Sequence, residues 1–355
     1  MLRYITQLAR MQPRNILKRL INERSIMRFT KFLTVFLFLL SGLHTVSAQD
    51  DDTIKVDTSI VRLNVGVADN KGRPITSLSK ENFTVYEDGV KQSILSFAPT
   101  VAPFSVVMIL DMSGSTLGFR ETIRQSAFRF VDALAPEDRV AVIEFYDKVN
   151  LRNDFTTDRK KIGNSITAAN GRGKTQLYKA LNVALEKLSG EGKRRKAIIV
   201  LTDGVDTATR NIDRDFLAKV KEPEITAAIK PETSEILNAV LNRADAQGVT
   251  IYPLALPTGD PFKLADPTPA QIAMFSAARS RLEILANRTG GTLNTINRLE
   301  EMGRLYAAVA AELRALYTVE YQSSNAKRDG KWREVKIEVN NPELISKTRQ
   351  GYFAK

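Results

Sequence analysis

Phe104-Ser105-Val106-Val107-Met108-Ile109-Leu110-Asp111-Met112-Ser113-Gly114-Ser115 is the stretch whose reading decides the fold. Its apolar, largely β-branched half has the length of a strand buried on both faces, as in a parallel sheet covered by helices. The run stops at a carboxylate followed by two hydroxyls at alternate positions, with Gly114 allowing a tight turn between them. In an open α/β sheet, ligands bind outside the carboxyl ends of the strands, where this cluster falls. Its donors are all hard oxygens, which suit magnesium, calcium or manganese rather than zinc or copper.

Downstream, the pattern predicts alternating helices and strands. Helices are expected over Arg120–Leu134, Asp158–Ala169, Leu177–Leu188, Ile236–Gln247, Gln271–Thr289 and Leu299–Leu313. Strands are expected over Val140–Tyr146, Leu151–Phe155, Ala197–Leu201, Val249–Leu256 and Thr292–Ile296. Strands separated by helical stretches imply right-handed crossovers and a doubly wound, mostly parallel sheet. Residues 204–235, polar and carrying Pro223 and Pro231, read as an excursion near the top of that sheet, and Pro257–Pro269 as a second long loop.

On either side the period changes to two. Residues 57–99 alternate in and out, with a turn at Asp69-Asn70-Lys71-Gly72. Phe83–Tyr86, the Asp88-Gly89 turn and Gln92–Phe97 read as one hairpin. After Leu316, Tyr317–Tyr321, Trp332–Val339 and Gly351-Tyr352-Phe353 read as strands. The economical arrangement pairs the two flanks into one β sandwich with the α/β domain inserted. The expected divisions are a leader over 1–48, an N-terminal β segment over 49–100, an α/β domain over 101–314 and a C-terminal β segment over 315–355.

Met27–Lys31 is positively charged, Phe32–Leu43 is apolar, and Val46-Ser47-Ala48 places small residues before a cleavage point. This is the pattern of a secretory signal peptide cut after Ala48, which sends the chain to the periplasm or beyond. Residues 1–26 make an unusually long n-region, which allows Met27 as the start. The alternative is a retained membrane anchor, for which Phe32–Ala48 is short, since a crossing helix needs ~20 residues. The membrane enters only through this signal.

The 355-residue chain is 43% apolar and 26% charged, which suits a globular protein with one large domain and a smaller companion. Its formal charge of +12 overstates its basicity, because residues 1–48 alone carry +7. The remaining +5 is spread over the rest of the chain with no basic run interleaved with aromatics, which points away from nucleic acid. There is no Cys, and the single His, His44, lies in the leader. The mature chain therefore has no thiol nucleophile, histidine base, disulfide or structural zinc set.

Two further oxygen donors fall at matching places: Thr175 in the Gly171-Arg172-Gly173-Lys174-Thr175 loop, and Asp203 after the Ala197–Leu201 strand. The pattern Asp111-x-Ser113-x-Ser115, then Thr175, then Asp203-Gly204 resembles the metal-ion-dependent adhesion site of von Willebrand factor type A domains. Gly72-Arg73-Pro74, Phe83–Gly89, Asp329–Arg333 and Gly351–Phe353 are similar to the exported members of that family common in Acidobacteria. The resemblance covers roughly residues 57–353.

It implies a divalent cation, Mg²⁺ or else Mn²⁺ or Ca²⁺. Ser113, Ser115 and Thr175 would hold the ion through hydroxyls, and Asp111 and Asp203 directly or through water. The last position would go to an Asp or Glu carboxylate of a protein partner. The implied function is cation-dependent binding without catalysis. An envelope scaffold with a structural metal is the alternative of the same kind.

Other readings fit less well. Ala168–Thr175 differs from a phosphate-binding loop at its first position and follows a helix, where that loop needs a strand. A serine hydrolase lacks its base. A metal-dependent phosphoester hydrolase is the enzymatic alternative, but Ser113 stands where haloacid-dehalogenase-type enzymes carry a second Asp. Glu300-Glu301 and Lys193-Arg194-Arg195-Lys196 read as solvated surface, and Trp332 as core of the β module.

Overall fold

Every residue of the Phe104–Asp111 strand is buried, with neighbouring residues feeding opposite cores. The computed structural model that shows this describes residues 60–71, 73–98, 103–192, 194–260, 265–296 and 298–354. The proposed signal peptide and cleavage point lie outside the described residues. Among the described residues, no helix is long and apolar enough to cross a membrane.

In chain order the strands are β1 (Ile60–Asp69), β2 (Phe83–Glu87), β3 (Val90–Gln92), β4 (Ile94–Ala98), β5 (Phe104–Asp111), β6 (Arg139–Phe145) and β7 (Val149–Thr156). They continue as β8 (Arg195–Thr202), β9 (Val249–Ala255), β10 (Asn294–Thr295), β11 (Tyr317–Gln322), β12 (Trp332–Val339), β13 (Leu344–Lys347) and β14 (Gly351–Phe353). The α-helices are α1 (Arg120–Ala133), α2 (Arg159–Ala168), α3 (Leu177–Ser189), α4 (Thr207–Leu217), α5 (Ile225–Ala228), α6 (Glu235–Gln247), α7 (Pro269–Thr289) and α8 (Met302–Arg314).

The central sheet runs β10-β9-β8-β5-β6-β7 and is parallel except for β7, which is antiparallel to β6. Val106, Met108 and Leu110 of β5 pack under α1 and α8, against Ile123, Phe130 and Leu313. Val107 and Ile109 face Leu181 of α3, Leu241 of α6 and Leu285 of α7. This is the doubly wound α/β architecture expected. From β5 the chain first adds β6 and β7 on one side, then returns to add β8 on the other. The crevice between β5 and β8 is therefore the topological switch point, where such sheets bind ligands.

The flanks pair as a sandwich of two antiparallel sheets, β13-β1-β11-β4 and β14-β12-β2-β3. β1 aligns Val61–Val65 with Tyr321–Tyr317, and β12 aligns Val335–Val339 with Glu87–Phe83. Alternate residues of β1 (Val61, Leu63, Val65, Val67) meet Val85, Tyr317, Val319 and Ile337 in one apolar core. Period-two burial thus follows the period-two sequence.

Several local expectations need correction. The Phe83–Phe97 hairpin is shorter: β3 stops at Gln92, and β4 crosses into the other sheet to pair with β11. The 204–235 excursion is mostly helical, holding α4, α5 and a 3₁₀ turn over Pro231–Thr233. The last strand of the central sheet shrinks to Asn294–Thr295, and β13 was not anticipated. Half of the basic cluster is not solvated surface: Arg195 and Lys196 are buried, and the Arg195 guanidinium lies 4.0 Å from the Phe104 ring centroid and donates to the Leu316 carbonyl at 2.6 Å. Trp332 is half-buried against Phe353, with ring centroids 5.2 Å apart.

Candidate metal centre

Asp111 ends β5 and Asp203 directly follows β8, so pairing of these two strands brings both acids to the switch point. Both are buried. Asp111 Oδ1 accepts from the Ser113 N–H at 3.0 Å and Oδ2 from the Thr202 hydroxyl at 2.8 Å. Asp203 Oδ1 accepts from the Val205 N–H at 3.0 Å and Oδ2 from the Ser115 hydroxyl at 2.7 Å. The Ser113 and Ser115 hydroxyls lie 3.2 Å apart. Ser113 is buried, while Ser115 is exposed at the rim.

Thr175 arrives from the loop between α2 and α3. Its backbone N–H donates to the Thr207 hydroxyl and its carbonyl accepts from the Thr207 N–H, both at 3.0 Å. The buried Thr175 lines a cavity of about 460 Å³ together with Ser115, Asp203, Asp147, Lys174, Arg210 and Phe275. All five candidate residues therefore converge at one end of the sheet.

The supports were not anticipated. The Thr116 hydroxyl donates to the Asp111 and Ser113 carbonyls, at 2.9 and 3.0 Å, closing the turn after β5. Gly114 N–H donates to the Gly173 carbonyl at 3.1 Å. Gly173 has φ +96°, and a Cβ there would strike the Asp147 carboxylate that accepts from Lys174 N–H at 2.6 Å. The Arg120 guanidinium donates to the Met112 carbonyl at 3.0 Å and also to Asn170 and the Gly171 carbonyl, tying the loop to the turn. The phosphate-loop look-alike thus braces the Asp111–Ser115 turn, and Lys174 is exposed at its rim.

Burial, with the Asp203 carboxylate second, pushes the Asp111 carboxyl up to about 7. Burial likewise raises Asp203, opposed by its hydrogen bonds and by Arg210. No Lys or Arg side chain hydrogen-bonds either acid among the described residues. Nor do three His, Cys, Asp or Glu side chains group there as a metal cluster, so the donor set is two carboxylates among hydroxyls.

Residues 106–205 match the family model of the von Willebrand factor type A domain. The chain carries a von Willebrand factor type A domain. Such VWA domains commonly mediate protein–protein binding and are generally non-enzymatic interaction modules.

An uncharacterized protein of Synechocystis sp. is 29% identical over 106 residues, which is 29% of this chain and 25% of that protein. The chain thus spans about a quarter of the curated relative it matches. The vWF domain of the type V pili tip protein Mfa5 from Porphyromonas gingivalis is 16% identical, covering 59% of this chain and 94% of that one, with TM-score 0.43. A von Willebrand factor type A structure from Catenulispora acidiphila is 12% identical over 84% of this chain and 64% of its own, with TM-score 0.43. Proximal thread matrix protein 1 from the mussel byssus, solved with a zinc-occupied MIDAS motif, is 14% identical over 62% and 47%, with TM-score 0.43.

Proposed function

We propose that the VWA domain holds one divalent cation between β5 and β8 and uses it to bind an acidic side chain of a protein partner. The observation that carries this reading is a pair of buried, adjacent carboxylates ringed by hydroxyls and lacking a basic hydrogen-bond partner. Two buried like charges repel, and a hard cation is the group that such an oxygen set accommodates. Asp111, Ser113, Ser115, Thr175 and Asp203 would hold the ion. When bound, the cation supplies a Lewis-acidic position for a carboxylate oxygen.

The adjoining cavity gives that carboxylate its approach, with Lys174 and Arg210 on the rim as favourable charges. The Met27–Ala48 pattern supports export, which would put the partner in the cell envelope or outside it.

Titration of the metal-free protein with Mn²⁺ tests the cation: one saturable site is expected, lost in Asp111→Ala. Displayed peptides containing Asp or Glu should then bind only with the cation present, and lose binding when Asn or Gln replaces the acid. Unaltered Mn²⁺ binding by Asp111→Ala would sink the proposed site. Turnover of p-nitrophenyl phosphate abolished by that substitution would replace adhesion with hydrolysis.

A further inference from the structure

A second cavity, of about 470 Å³, opens at the opposite end of the central sheet. Lys196, second residue of β8, and Gly248, just ahead of β9, line it, so it lies where these parallel strands begin. Its other walls come from the C-terminal turns of α6, including Asn242 and Asp245, and from the sandwich, including Arg62 of β1, Glu320 of β11, Lys327 and Tyr352. It joins the two layers of the fold, and no residue of the cation site lines it.

Five basic residues face this cavity (Arg62, Lys196, Lys327, Arg328 and Arg349) against two acids, Asp245 and Glu320. Both acids are already engaged. Arg62 pairs with Glu320 at 2.6 Å, and Arg288, from outside the cavity lining, pairs with Asp245 at 2.8 Å. Arg349 is buried, donates Nη1 to the Asp245 carbonyl at 2.5 Å and has no partner at Nε.

Lys196 is the decisive residue. It is only 8% exposed, yet its ammonium has no hydrogen bond or ion pair among the described residues. Burial, and then Arg62, lower its pKa. Glu191 opposes them, but its carboxylate is held by Arg139 at 2.8 Å and the Ser105 hydroxyl at 2.5 Å. The Lys196 stem is buried while its ammonium opens on the cavity, where an anion would supply the ion pair it lacks.

We propose that this cavity binds a dianionic phosphoryl group, as free phosphate or as the phosphate monoester of a small ligand, with Lys196, Lys327 and Arg349 as its cationic contacts. Three cations without a carboxylate ion-pair partner exceed what one carboxylate neutralises. A lysine ammonium is a compact point charge suited to phosphate. Ligand cavities of small molecules span roughly 300–1,000 Å³, which includes this one.

Calorimetric titration of the full chain in EDTA, at constant ionic strength, tests the proposal with inorganic phosphate, glycerol 3-phosphate and acetate. One saturable site is expected for a phosphate species, with acetate at least about tenfold weaker. The tighter of the two phosphates identifies the source, and either order supports the site.

Lys196→Met should lose phosphate binding while leaving the thermal midpoint in phosphate-free buffer near the wild-type value, because it keeps the buried stem and removes only the cavity-facing ammonium. Lys327→Ala, at an exposed position, should weaken binding about tenfold and tests the proposal even if the first variant does not fold. Asp111→Ala should leave phosphate binding intact, so failure here and failure of the cation site are separable. Phosphate heats that do not saturate by about 10 mM, acetate binding as tight as phosphate, or wild-type affinity in both lysine variants would overturn it.

Discussion

Both carboxylate oxygens of Asp111 are committed before any cation is considered: one accepts from the Ser113 N–H, the other from the Thr202 hydroxyl. Thr202 also accepts from the Gly204 N–H at 3.1 Å, so one hydroxyl steadies the acid of β5 and the turn carrying Asp203. Thr202→Val keeps the β-branched shape and deletes only that hydroxyl. It should cost about 1.5–3 kcal/mol, the range for a hydrogen bond to a charged group, read as a lower urea midpoint with unchanged slope. Mn²⁺ affinity should fall about tenfold or more, as when a ligand loses its orienting partner. A variant as stable and as avid as wild type would show that Thr202 does not position Asp111. Asp111, Ser113, Ser115 and Asp203 were legible as candidates because oxygen side chains end or follow apolar strands, where a strand-former or turn residue would otherwise suffice. Thr175, in the loop between α2 and α3, was legible only as part of the motif pattern. Thr202 was not legible. A threonine closing a strand satisfies β propensity alone, and only the fold shows which acid its hydroxyl meets.

At the scale of elements, α4 inverts the usual logic of an amphipathic helix. It buries Thr209, Asp213 and Leu217 and exposes Ile212 and Phe216. Asp213 is matched by Arg281 of α7 through two 2.7 Å hydrogen bonds, with both residues buried. That inversion hid the helix: its buried face is polar, so residues 204–235 looked like a loop. The capping signal, Asp206 accepting from Ala208 and Thr209 N–H, was present, and Ile212 and Phe216 form an apolar stripe, but the helix turns that stripe outward. Removing one member of a buried pair strands its partner. Asp213→Ala alone should therefore lose about 3–5 kcal/mol in chemical denaturation. Asp213→Leu with Arg281→Met should recover most or all of that loss, because hydrophobic replacement of a buried pair is often neutral or better. A double variant as unstable as the single would mean that the pair itself, rather than its desolvation, holds α4 on α7. The broken hairpin at Ser93 was hidden for a different reason. Period-two alternation continues across it, and nothing in that pattern tells which sheet the next strand joins.

For the whole molecule, the sandwich was legible because both flanks alternate and neither alone offers enough strands to close a core. The join between sandwich and α/β layer was not, because it depends on side chains distant in sequence. Arg288 of α7 illustrates it. The guanidinium pairs with Asp245 of α6 at 2.8 Å, and lies 4.7 Å from the Trp332 ring centroid and 5.1 Å from that of Phe353. One cation thus links two helices to β12 and β14. Trp332 is the only tryptophan in the chain, so its fluorescence reports this junction. In the wild type, tryptophan emission and far-ultraviolet circular dichroism should change together along a denaturant series, as one cooperative unit requires. Arg288→Ala leaves the buried Asp245 with Arg349 as its remaining cationic neighbour. The cost should be about 3 kcal/mol, the lower end of the range for a broken buried pair. Emission should then shift to the red before the helical signal falls, because the β12–β14 edge loosens first. Arg288→Lys should rescue little, since an ammonium cannot both bridge Asp245 and stack flat on an indole. Coincident transitions in Arg288→Ala, at the wild-type midpoint, would show that the layers are held together elsewhere.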